Sequence, residues 1–157
     1  MHRSQADLVR EWLRAYVSNE QIINEELEKL RTLRARMMSV GAQRLSDMPK
    51  APSSTVDKMA EMVIRADELE RLIREKIKIQ DMARTAIEDL ASQLNEDQKT
   101  IIIRRYLYGE KWSDIVKEIY GSESGYFQKM KTFSKRVYRE HEKALTEMAR
   151  AWSGGNK

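Results

Sequence analysis

A seven-residue repeat runs through the middle of the chain and constrains its fold more than any other feature. Its positions are Met59, Ala66, Ile73, Gln80, Ile87 and Leu94. A residue that recurs every seven positions returns to nearly the same face of a helix, which is typical of a coiled coil. Ser54 and Asp57 supply capping side chains before the repeat, so the pattern predicts one helix of about 40 residues, or about 60 Å. A helix of that length needs a partner helix to cover its apolar side.

The partner is expected on the N-terminal side of a proline-bearing segment. Apolar residues from Leu8 to Met37 recur at spacings of three and four, which predicts an amphipathic helix, with a break allowed near Ser18 and Asn19. Both prolines lie in residues 39–54, which we interpret as a linker because proline cannot continue a helix. Residues 1–94 are therefore predicted to form a helical hairpin, a coiled-coil scaffold expected to form a homodimer.

The pattern changes at Asn95. Asn95 and Gln98 provide capping chemistry, Ile101, Ile102 and Ile103 follow, and Gly109 supplies a stop, which predicts a helix of about ten residues. A strand remains an alternative, since three consecutive isoleucines also suit a sheet. A short helix over 112–120 and a long one from Ser122 or Ser124 to Trp152 are expected next, and then a flexible tail over 153–157. The predicted fold is all-α, with residues 95–152 forming a helix-turn-helix domain.

The basic charge is concentrated near the C-terminus. The chain has 29 Lys and Arg residues against 25 Asp and Glu, a net charge of +4, and residues 95–157 hold all of that excess. The stretch 127–139 contains five cations and no acid. Such a density is either solvated or faces phosphate. The cations are Lys129, Lys131, Lys135, Arg136 and Arg139.

Other function classes find little support. No apolar run approaches the length of a membrane span, the N-terminus lacks the pattern of a secretion signal, and there is no cysteine, so we expect a cytoplasmic protein that does not bind membranes. No nucleophile with a matching His, no glycine-rich phosphate loop and no metal-ligand set is recognisable, which predicts a non-enzyme without cofactor or metal. His141 lies on the apolar stripe of the last helix, and we interpret it as a residue at the edge of the core.

Short motifs in the C-terminal part resemble known transcription proteins. Region four of bacterial sigma factors is similar over Leu94, Arg105, Tyr106, Gly109, Trp112 and Ile115. A closer resemblance is to phage-encoded late-gene transcriptional regulators of the RinA and ArpU type. It adds Val137, Tyr138, Arg139, His141, Ala144 and Leu145, and the wider similarity covers roughly residues 20–148. The resemblance implies an activator that binds double-stranded DNA and acts with the host bacterial RNA polymerase on bacteriophage late genes.

The residues leave two registers open for the recognition helix. In the first, Ser122 or Ser124 caps it and Phe127, Gln128, Lys129 and Lys131 face DNA. In the second, it begins at Phe133 and Ser134, and Lys135, Arg136 and Arg139 face DNA. Two other functions also remain open: a phage small terminase subunit, and a coiled-coil adaptor that binds proteins but not DNA.

Overall fold

The computed structural model describes residues 3–46 and 52–155, with side chains described over 3–39 and 56–153. Every regular element in these ranges is helical, and none is a strand, which confirms the all-α prediction and rules out the strand alternative. Two long helices come first, followed by three others. They are α1 (Gln5–Ser46), α2 (Pro52–Ala91), α3 (Glu96–Ile102), α4 (Trp112–Tyr120) and α5 (Met130–Gly155).

The ends of the long helices differ from the sequence prediction. α1 continues through Ser18 without the allowed break, and it is capped instead at Ser4, whose Oγ accepts the Asp7 N–H at 3.1 Å. The helical parts extend into the predicted linker 39–54, because α1 runs to Ser46 and α2 begins at Pro52. Proline is well suited to a first helical position, where its missing N–H removes no intrahelical bond. The rest of that linker, 47–51, lies outside the described residues.

The chain divides into two compact units at places other than the predicted boundary at residue 94. One unit is residues 19–80, and the other combines residues 1–18 with 81–157. The reason is that the first turns of α1 and the last turns of α2 share a core with the C-terminal helices. Leu13 and Ile87, both fully buried, pack in the same apolar cluster as Leu145 of α5.

In the unit of residues 19–80, the two long helices pair antiparallel. Leu30 of α1 packs with Ala66 and Ile73 of α2. Ion pairs flank this seam on either side, with Arg34 bonded to Glu70 at 2.7 Å and Lys76 to Glu26 at 2.5 Å. The predicted repeat is confirmed here, because Ala66, Ile73 and Gln80 are all buried.

The other unit has two apolar clusters joined by α3. Ile102 packs in the cluster of Leu13 and Leu145, whereas Ile101 packs with Ile115 of α4 and Val137 of α5. All six of these side chains are at most 1% exposed. Full burial of an aliphatic side chain contributes about 1.5–3 kcal/mol, so α3 fastens α4 and α5 to the ends of the long helices.

α3 begins at a capping residue and continues into a π-helical turn. The Asn95 side chain accepts the Gln98 N–H at 2.9 Å, as predicted, although the Gln98 side chain bonds Glu140 rather than reaching back. After α3, a π-helical turn spans Ile103–Leu107, and the chain reverses at Gly109, where φ is +66°. Glycine adopts this left-handed conformation without steric cost. The short connection to α4 is thus set by its glycine.

α5 ends later than the sequence predicts. α5 extends through the first residues of the predicted flexible tail 153–157 to Gly155, and Ser153 donates a hydrogen bond to the Gln5 side chain at 3.1 Å. The last two residues lie outside the described range.

Of the described helices, none combines the length and apolarity that crossing a bilayer requires.

Candidate nucleic-acid interface

The apolar contacts of α4 position the basic segment. Ile115 and Val116 of α4 are buried against Phe133 and Val137 of α5, as the periodicity predicts. Tyr120, at the end of α4, stacks on Phe133 with ring centroids 4.5 Å apart and planes 6° apart. Offset or parallel aromatic pairs of this kind add about 0.5–1.5 kcal/mol beyond the area they bury. The start of α5 is therefore held against the end of α4.

The segment between α4 and α5 folds into consecutive turns. The Tyr126 N–H donates to the Glu123 carbonyl at 3.2 Å, and the Lys129 N–H donates to the Gly125 carbonyl at 3.0 Å. Gly125 has φ of +75°, a conformation that interrupts a right-handed helix. Tyr126 is buried and fixes these turns to the core.

Neither predicted register of the last helix is right. α5 begins at Met130, after the start expected near Ser124 and before the one expected near Ser134. The first register fails because Gly125 ends any helix that Ser122 or Ser124 could start. The second fails because the Phe133 N–H already donates to the Lys129 carbonyl at 3.0 Å, so helical bonding precedes Ser134.

The eight predicted site residues all lie on the exposed surface of this region, in two groups. The turns before α5 hold Ser124, Phe127, Gln128 and Lys129, and α5 itself holds Lys131, Lys135, Arg136 and Arg139. Because Lys131, Lys135 and Arg139 are four residues apart, they form one row on the helix. The buried Phe133 and Val137 lie on the other side. We name the eight residues together the basic face.

The cations of the basic face have no carboxylate partners in the part of the chain that the structure describes. None of these five Lys and Arg side chains takes part in an ion pair among the described residues. Arg136 instead lies over the Phe133 ring at 5.7 Å. Elsewhere among the described residues, about half of the Lys and Arg side chains have a carboxylate partner. Such partnered cations include Arg10, Arg34, Arg74, Lys76, Arg84, Arg104, Lys143 and Arg150.

Phe127 is the most exposed aromatic residue of this surface. Its side chain is 81% exposed, although one edge meets the Tyr126 ring at a centroid distance of 5.4 Å. Phe127 is followed in the chain by Gln128 and Lys129, so the basic face includes one exposed apolar ring next to polar and basic side chains.

Behind the basic face, α5 carries a buried polar pair. His141 Nε2 and Tyr106 Oη share a hydrogen bond of 2.7 Å. Burial lowers the pKa of His141, an effect that the nearby Glu142 carboxylate opposes and Arg10 reinforces. Burial likewise raises the pKa of Tyr106. Both groups are therefore neutral near pH 7. The sequence placed His141 at the edge of the core, and the structure shows it buried, at 5% exposed.

The described residues contain no group of three or more His, Asp or Glu side chains that could hold a metal ion. The sequence did not reveal a groove beside α4, lined by Arg14 and Arg105, because its walls come from distant parts of the chain.

Comparison of the chain with protein-family models, with characterised proteins and with solved structures finds no significant match. The resemblance to phage late-gene regulators therefore rests on the residues quoted for it.

Proposed function

We propose that this protein is a sequence-specific regulator of transcription that binds double-stranded DNA through the basic face. In this proposal α3 and α4 are the supporting helices of a helix-turn-helix, and α5 with the preceding turns is the recognition element. The resemblance to RinA- and ArpU-type regulators adds an activating role with bacterial RNA polymerase, a homodimer and a cytoplasmic location. The protein acts by binding and not by catalysis.

The observation that carries the proposal is five exposed cations without carboxylate partners on one short segment. Like charges at this density repel one another, and on a helix each close pair costs a few tenths of a kcal/mol. The DNA backbone would relieve that repulsion, because each phosphate neutralised also releases condensed counterions. The row from Lys131 to Arg139 spans about 12 Å along α5, comparable to the width of the major groove.

The two ends of the basic face are expected to contact different parts of the DNA. Gln128, in the turns just before α5, and Lys131, in its first turn, lie near the N-terminal end of α5, the end of a recognition helix that usually enters the groove. Arg136 and Arg139 lie further along the helix, where contact with the backbone is expected. Base-edge contacts give discrimination of about 1–3 kcal/mol each, whereas phosphate contacts strengthen binding to every duplex alike.

The experiment compares two paired variants on two duplexes, one enriched from a random-sequence pool by the wild-type protein and one scrambled. Replacing Gln128 and Lys131 with Ala should reduce the ratio of the two affinities. Replacing Arg136 and Arg139 with Ala should weaken both about equally. Arg65→Ala and Arg71→Ala, exposed on α2, are the matched control and should change neither. A pool that yields no enriched duplex would refute the proposal and favour an adaptor that binds only proteins. Variants that bind the enriched duplex as the wild type does would show that the basic face is not the DNA interface.

A further inference from the structure

A second surface of the C-terminal unit combines arginines with aromatic rings. The groove between α1, the π-helical turn, α4 and α5 has a volume of about 830 Å³. This lies within the range of about 300–1,000 Å³ common for small-molecule sites. Three of its lining residues are arginines and four are aromatic. They are Arg10, Arg14, Arg105, Tyr106, Trp112, Tyr138 and His141.

The groove has an excess of positive charge. Glu142 is its single acidic lining residue and is already bonded to Arg10. Arg14 is exposed and takes part in no ion pair among the described residues. Its field, with those of Arg10 and Arg105, favours the ionised form of Tyr106 and so lowers the pKa of that phenol, against the larger opposing effect of burial. The three cations thus act on one small region.

Arg105 is held in place before any ligand arrives. Its Nη1 donates to the Glu110 carbonyl at 3.0 Å, and its guanidinium lies 4.7 Å from the centre of the Trp112 ring. A guanidinium has five N–H donors, so most of them remain for a ligand. The planar fork of arginine matches the oxygens of a phosphate and loses little freedom when it is already fixed.

Tyr138 supplies the exposed ring. It is 48% exposed, and its centroid lies 5.0 Å from that of Trp112. Trp112 itself is enclosed by Arg105, Tyr138 and His141. An exposed ring beside fixed cations is the arrangement that binds a base and its phosphate together, because stacking on an aromatic side chain tolerates any base.

We propose that this groove binds a mononucleotide, with its phosphate on Arg14 and Arg105 and its base stacked on Tyr138. The inference goes beyond DNA recognition by the basic face and does not depend on it, since the two surfaces share no residue. It gives the unit that holds α4 and α5 a small-molecule site.

The test is titration calorimetry of the full chain with adenosine 5′-monophosphate, repeated with adenosine and with inorganic phosphate. The nucleotide should bind with a Kd of about 0.1–1 mM, and each half-ligand at least about tenfold more weakly. Arg14→Gln and Tyr138→Ser should each weaken nucleotide binding at least about fivefold. Arg14 is exposed, whereas Tyr138→Ser also removes the ring contact with Trp112, so circular dichroism must show that both variants remain folded. Arg65→Gln, in the other unit, is the matched control and should change nothing.

Other results would overturn the proposal. They are absence of binding up to about 10 mM nucleotide, equal affinity for phosphate alone, or nucleotide binding that both variants retain. A parallel measurement tests the basic face independently: the double variant Lys131→Gln/Lys135→Gln should weaken binding of duplex DNA but not binding of the nucleotide. If Arg14→Gln weakens duplex binding while the nucleotide does not bind, the groove belongs to the DNA interface and the proposal is wrong.

Discussion

Replacing Trp112 with alanine tests how the C-terminal unit is held together. Trp112 begins α4, is half-buried, and touches three partners. Arg105 lies over one face at 4.7 Å, and the centroids of Tyr138 and His141 are 5.0 and 4.9 Å away. Loss of this side chain removes a contact between α4, the π-helical turn and α5.

The expected loss of stability follows from those contacts. Truncating a fully buried tryptophan to alanine costs about 3–5 kcal/mol of folding free energy. Because Trp112 is only half-buried, the part of this cost that comes from lost burial is smaller. The cation–π contact contributes about 0.5–1 kcal/mol and the aromatic pairs a similar amount each. We expect a loss of about 2–3 kcal/mol for Trp112→Ala and about 1 kcal/mol for Trp112→Phe, which keeps a ring in place.

Urea unfolding followed by far-ultraviolet circular dichroism measures the change. Trp152→Ala is the matched control, because Trp152 is in the same unit, is 44% exposed, and pairs with Trp12 at 5.0 Å. It should cost about 1 kcal/mol. If Trp112→Ala changes stability by less than about 0.5 kcal/mol yet abolishes ligand or DNA binding, Trp112 is a contact residue and its structural role is wrong.

Three other outcomes are expected. Leu13→Ala should destabilise the unit that contains α4 and α5 by about 2–5 kcal/mol, because this fully buried residue packs with Leu145; loss of chemical-shift dispersion confined to residues 19–80 would contradict the unit boundary. Burial lowers the pKa of His141, so the imidazole binds its proton more tightly in the unfolded chain than in the folded protein. The free energy of unfolding should therefore be highest above about pH 6.5 and should decrease as the pH drops toward the lowered pKa. His141→Gln should remove this pH dependence of stability, and an unchanged pH profile would show that His141 does not cause it. Gly109→Ala meets no neighbouring atom within 4 Å, so its cost of about 1 kcal/mol should come from the backbone at φ +66° alone, and a stabilised variant in thermal melts would contradict this.

Local sequence patterns predicted most of the helices, whereas the boundary between the two units depends on long-range packing. The seven-residue repeat and the Asn95 cap each act within a few turns of chain, so α2 and the start of α3 could be predicted from them. The unit boundary could not, because Leu13 meets Leu145 only after folding. Helix propensity alone would allow an earlier start of α5, and Gly125 was the available signal against it.

The candidate site was predictable to a different degree in its two parts. The cations of the basic face are close in sequence, so their density was visible before their exposure was known. The arginine groove was not visible, because Arg14 belongs to α1 and Arg105 to the π-helical turn. No spacing rule connects two side chains that distant segments bring together.

The most direct test of the DNA-binding proposal is the salt dependence of duplex binding, measured by fluorescence anisotropy at several salt concentrations. Five phosphate contacts predict a slope of log affinity against log salt of about −4 to −5 per protomer. A variant with Gln at the five cations of the basic face should lose most of that slope, whereas Gln at Arg65, Arg71 and Lys78, on α2, should leave it unchanged. A slope near zero for the wild type, or an unchanged slope for the five-Gln variant, would contradict the proposal.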